Sequence, residues 1–125
     1  MPFVQEAKAH VKTLAPGCVE RLILEFLLQH GVGRHSAQVW SAVEQHLHEH
    51  GHTIRQQTFQ QGLLKQSREG AIFIGSNDHG DSRGYFLIQD KEDAEVMRRW
   101  YRRRIEVEKA HLAQLGRLIE THFGA

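Results

Sequence analysis

Between Arg55 and Arg68 the chain reads RQQTFQQGLLKQSR. Side chains that make paired, planar hydrogen bonds dominate its first half: Arg55, Gln56, Gln57, Gln60 and Gln61. A guanidinium bridges two acceptors, and a carboxamide offers a donor beside an acceptor. Base edges in a DNA major groove present such pairs, guanine O6 and N7 for arginine, adenine N6 and N7 for glutamine. Taking Ile54, Phe59 and Leu63 as a buried stripe of helical period leaves these five residues facing outward. The plainer reading is a neutral solvated face, because glutamine is a good helix former. Lys65 and Arg68 follow, placed to neutralise phosphates.

A second group is the dense basic run Arg98, Arg99, Arg102, Arg103 and Arg104, with Trp100 and Tyr101 between them. On a helix, 98 and 102 share a face, as do 99 and 103. Three readings compete: contact with DNA backbone, contact with an acidic protein, or a solvated face paired with Glu95, Glu106 and Glu108. A third group is the run from His46 to His52. His46 and His50 stand four apart, the spacing that aims two imidazoles at one metal, with His35, His79 or a carboxylate as the third ligand. The run lacks the HExxH pattern and no cysteine pair follows, so it reads first as a polar helix end. Protonation near pH 6.5 makes a pH-sensitive site the remaining alternative. Cys18 reads as a small buried hydrophobe. No glycine-rich phosphate loop, nucleophile triad or paired carboxylates stand out, so the expectation is no enzyme activity and no cofactor.

These groups need elements to position them. Phe3, Ala7, Val11 and Leu14 predict a short amphipathic helix over 3–14, stopped by Ala15-Pro16-Gly17. Val19, Leu22, Ile23, Phe26 and Leu27 predict a helix over 18–30, ended by Gly31 in the left-handed conformation. Ser36 is the expected cap of a third helix with Trp40, Val43 and Leu47 buried, fading at His50-Gly51. Thr53 is the expected cap of a fourth over 54–68. Gly62 lies inside that helix, at a cost of about 1 kcal/mol relative to alanine, and suggests close approach of another backbone. Ala71-Ile72-Phe73-Ile74, ended by Gly75, and Tyr85-Phe86-Leu87-Ile88 read as two strands of a hairpin with a long polar tip over 76–84. Asp90 caps a last helix to about His122, some ~48 Å long. Its Tyr101, Ile105, Leu112, Leu115 and Ile119 approximate a heptad seam, with Glu108 as the polar exception. A seam of that length suits pairing with a second chain more than one small core.

The order is helix, helix, turn, helix, then a hairpin. Over residues 18–88 the segments CVERLILEFLLQHG, SAQVWSAVEQHL, TIRQQTFQQGLLKQSREG and AIFIGSNDHGDSRGYFLI resemble winged-helix DNA-binding domains. The resemblance implies an α+β, mostly α fold: a winged helix-turn-helix with a short N-terminal and a long C-terminal helix. It divides the chain into 1–16, 17–89 and 90–125. It also implies double-stranded DNA as partner and transcriptional regulation as the commonest role. Arg83 on the wing would hold a phosphate or enter a minor groove, but Asp78 and Asp81 beside it repel a phosphate backbone. The alternative is a winged-helix protein-interaction module or accessory subunit, with a protein partner on the long helix.

The chain has 125 residues, one domain's worth, and its 16 basic against 15 acidic groups leave a charge of +1. That is less basic than many nucleic-acid binders, so distribution carries the argument. One cysteine forms no internal disulfide, and neither an export signal nor a membrane span is evident. Cytoplasmic placement, no membrane partner and a homodimer through a C-terminal coiled coil are expected.

Overall fold

The computed structural model describes residues 2–70, 74–77 and 83–124. The expected strand residues Ala71, Ile72 and Phe73, the tip residues 78–82 with Asp78, His79 and Asp81, and the side chain of Phe3 lie outside the described residues. The fold is α+β and mostly helical, with one two-stranded antiparallel sheet. The chain divides into two compact units, residues 1–93 and 94–125.

In the first unit, α1 (Pro2–Val11) and α2 (Val19–His30) pack together, burying Ala7 and Val11 of α1 with Ile23, Leu24 and Leu27 of α2. Each fully buried leucine or isoleucine contributes about 1.5–3 kcal/mol of transfer free energy. The turn between them is closed by the Arg21 guanidinium, which donates to the Leu14 carbonyl at 2.9 Å. Cys18 is half-buried and caps α2: its Sγ accepts from the Arg21 backbone N–H at 3.4 Å. It is therefore a cap and not the buried hydrophobe expected.

The stretch after α2 was expected to be only a stop and a cap, and it does more. Gly31 has φ −124°, outside the left-handed region; the left-handed residue is Gly33, at φ 85°. A 3₁₀ turn, Arg34–Ser36, follows. The backbone on either side of it pairs with β2 (Gly84–Leu87): Gln38 and Tyr85 exchange two hydrogen bonds of 2.8 Å, and Leu87 donates to Gly31 while Gly33 donates to Leu87. This pairing holds residue 38 extended. Consequently α3 (Trp40–Glu49) starts four residues after Ser36, with Val39 at its cap position.

The fourth helix is also later and less regular than its sequence predicts. It runs as α4 (Gln56–Phe59), a π turn (Gln60–Leu64) and α5 (Lys65–Glu69). Arg55, in extended conformation, occupies the cap position in place of Thr53. Gly62 lies in the π turn, and a methyl group there would meet nothing within 4 Å, so close backbone approach does not explain it. The widened turn buries Leu63 and Leu64 together, with Phe59 before them and Ser67 after. β1 (Ile74–Asn77) continues through Gly75 instead of ending there, pairing Ile74 with Leu87 and Asn77 with Gly84. Gly75 is required because the Phe86 ring lies over it: a Cβ would sit 2.5 Å from Cζ.

The unit ends in a buried carboxylate. Asp93, in the first turn of α6 (Lys91–Phe123), is 1% exposed. It accepts from the Arg34 guanidinium at 2.7 Å and from the Gln89 backbone N–H at 3.0 Å, while Glu92 meets the same guanidinium at 3.0 Å. Pairing and hydrogen bonding of this kind make burial of a charge tolerable.

The second unit is the remainder of α6. Every described residue from Arg102 onward is exposed, including seven large apolar side chains between Ile105 and Phe123. Among the described residues no helix is long and apolar enough to cross a membrane.

Candidate nucleic-acid interface

The α4–α5 segment carries two kinds of polar side chain. Gln56 and Gln60, one turn apart, both donate from Nε2 to the Tyr85 hydroxyl, at 2.9 and 3.1 Å. Tyr85 is itself buried in β2, its ring edge-on to Phe59 with centroids 4.8 Å apart, and Phe59 stacks on Trp40 at 5.4 Å. Arg68 is turned inward too. Its Nε donates to the Ile74 carbonyl and its Nη2 to Ser76 Oγ at 3.1 Å, both on β1. Three residues expected at bases or phosphates thus fasten the helix to the hairpin.

Arg55, Gln57, Gln61 and Lys65 behave differently. All four are exposed, and their side chains make no hydrogen bond or ion pair among the described residues. Gln57, Gln61 and Lys65 follow one another at intervals of four. Gln61 and Lys65 border an open groove with Arg68 and Glu69, whose carboxylate opposes phosphate at that end. Arg83, directly before β2, is exposed. The arrangement offers an arginine fork at the cap, then two unpaired carboxamides and a cation on a helix hydrogen-bonded to the hairpin from behind.

The arginine run in the second unit is partly engaged. Arg98 pairs with Glu95 at 2.8 Å, and Arg104 lies over the Trp100 ring at 5.4 Å, a cation–π contact. Arg99, Arg102 and Arg103 are exposed and unpaired among the described residues.

The histidine run packs as an aromatic cluster. His46 lies 4.9 Å from the Phe26 ring and 4.5 Å from His50; His30 flanks Phe26 at 5.2 Å. His50 Nδ1 is 2.9 Å from the His46 carbonyl oxygen. Burial, then the neighbouring His50, lowers the His46 pKa below its ordinary value. Among the described residues no three His, Cys, Asp or Glu side chains come together to hold a metal ion.

Sequence reasoning missed Tyr85 as the residue that ties α4 and the π turn to the hairpin. Its signal was present: a strand tyrosine needs a partner for its hydroxyl when buried. No family model matches the chain, and no curated protein or solved structure matches it.

Proposed function

We propose that this chain is a non-catalytic, sequence-specific double-stranded DNA-binding protein of winged helix-turn-helix form, acting in transcriptional regulation as a homodimer. One observation carries the reading. Gln56, Gln60 and Arg68 tie the α4–α5 segment to the hairpin, while Arg55, Gln57, Gln61 and Lys65 remain exposed and unpaired. A rigid helix with free planar hydrogen-bonding groups is what base readout requires, because phosphate contacts alone carry no sequence information. The order α2, α3, α4–α5, then an antiparallel hairpin supports the fold assignment. In this mechanism α4–α5 enters the major groove, Arg55, Gln57 and Gln61 meet base edges, and Lys65 and Arg83 meet phosphates.

The test is DNA binding by the purified protein at low and moderate salt, with solution mass measured on the same sample. Retention that falls steeply with salt, by a dimer, is expected. No retention at low salt overturns the reading. The exposed apolar side chains of α6 then favour the second one, a protein-interaction module that uses the long helix for docking.

A further inference from the structure

The uncovered side chains of α6 have a spacing that specifies a partner and an orientation. Ile105, Leu112, Leu115 and Ile119 are 52, 71, 55 and 49% exposed. With Tyr101 and Glu108 they alternate in steps of four and three, the pattern of a two-stranded seam. Their positions are symmetric about Ala110: Tyr101 and Ile119 are equidistant from it, as are Ile105 and Leu115, and Glu108 and Leu112; the first two pairs are apolar on both sides and the third is not. In an antiparallel two-fold interface each position meets its mirror position in the copy, so this register matches apolar with apolar at two of the three pairs.

Charge separates the two possible senses. Residues 98–109 carry six basic and two acidic groups; residues 110–125 carry one of each. A parallel pair places the two basic halves side by side. It puts Glu108 against Glu108 inside the seam and flanks Arg104 with Lys109 of the second copy on both sides. An antiparallel pair sets each basic half beside a nearly neutral one and places Glu108 opposite Leu112. One like-charged approach remains, Lys109 across the axis, and Glu106 lies 3.5 Å from Lys109 within each helix.

We propose that α6 pairs antiparallel with α6 of a second copy, in the register centred on Ala110. Tyr101 then packs on Ile119 of the second copy, and Ile105 on Leu115. This rests on the homodimer of the preceding reading and adds its sense and register.

Cysteine cross-linking of the full chain tests it. In a Cys18→Ser background, Ile105→Cys and Leu115→Cys proteins are oxidised alone and as a mixture. Disulfide dimers are expected from the mixture and not from either protein alone. Ile105→Cys joining to itself identifies a parallel pair and overturns the sense. A dimeric parent with no cross-link in any sample overturns the register. A monomeric parent overturns the homodimer itself. DNA retention is read separately on the same parent, so the readout assignment stands or falls independently. As a second measurement, Glu108→Leu is expected to tighten dimerisation at least about tenfold, from burial of apolar area in place of a carboxylate. An unchanged dissociation constant removes Glu108 from the seam and overturns the register.

Discussion

Arg55 and Lys65 sit ten positions apart, and replacing them has different expected consequences for DNA. Under the proposed readout, Arg55→Ala is expected to relax sequence preference, by about 1–3 kcal/mol at the position read. Lys65→Ala weakens binding to all sequences alike and lowers the salt slope by about one. Competition assays on a selected and a scrambled duplex distinguish them; equal losses on both duplexes from both variants would contradict base readout by Arg55. His46 makes a residue-scale prediction about acid. Its folded pKa is lowered, first by burial and then by His50, so the folded state favours the neutral ring. The folded state therefore binds fewer protons than the unfolded one. Stability is complete above the ordinary histidine value and falls as pH drops below about 6.5. His46→Gln is expected to flatten that part of a melting-temperature profile recorded from pH 7.5 to 5. At this scale the sequence showed which side chains could do chemistry, but not which were already occupied. Gln56 and Gln60 look identical to Gln57 and Gln61 in the window 55–61. Their partner, Tyr85, lies 29 and 25 residues further on, where helical periodicity carries no information.

The elements are joined by backbone as much as by side chains, and Gly84 shows it. It adopts φ 134°, and a Cβ there would collide with the carbonyl of Gln38. Gly84→Ala is expected to cost roughly 1–3 kcal/mol through backbone strain and overpacking, read as a lower denaturant midpoint at unchanged slope. A midpoint unchanged by the substitution would mean that residues 37–39 yield easily and that their pairing with β2 contributes little. The same pairing explains why element types were legible and boundaries were not. Apolar periodicity identified the helices and the hairpin, because those faces must be buried wherever they start. The start of α3 was misplaced because Gln38 is held by Tyr85, a strand partner absent from its local sequence. The π turn was hidden for a related reason. It lets Leu63 and Leu64 both face inward, which depends on the shape of the cavity they fill.

At the scale of the whole molecule the two units have different sources of order. The core cluster of the first unit draws every member from residues up to Leu87. The second unit is one helix that is exposed from Arg102 onward, and exposed helices depend on partners for most of their stability. If α6 pairs as proposed, Leu112→Asp with Leu115→Asp is expected to yield monomer, read by sedimentation, while the main thermal transition of the first unit stays in place. Loss of that transition would show that the units fold as one. The long helix was legible because its periodicity is local. The buried Asp93–Arg34 pair was not, since it joins positions 59 residues apart.

That pair has a mechanical consequence. Asp93 grips Arg34; the adjoining Gly33 donates to Leu87; Leu87 and Tyr85 belong to one strand; and Tyr85 holds Gln56 and Gln60. The first turn of α6 and the back of the α4–α5 segment are the two ends of a continuous path of contacts. Tension or twist delivered at one end has a stiff route to the other, through backbone and short polar bonds instead of deformable side-chain packing. A double-mutant cycle between Asp93→Asn and Tyr85→Phe reads the stiffness of that route as a coupling energy, and additivity would show it to be slack.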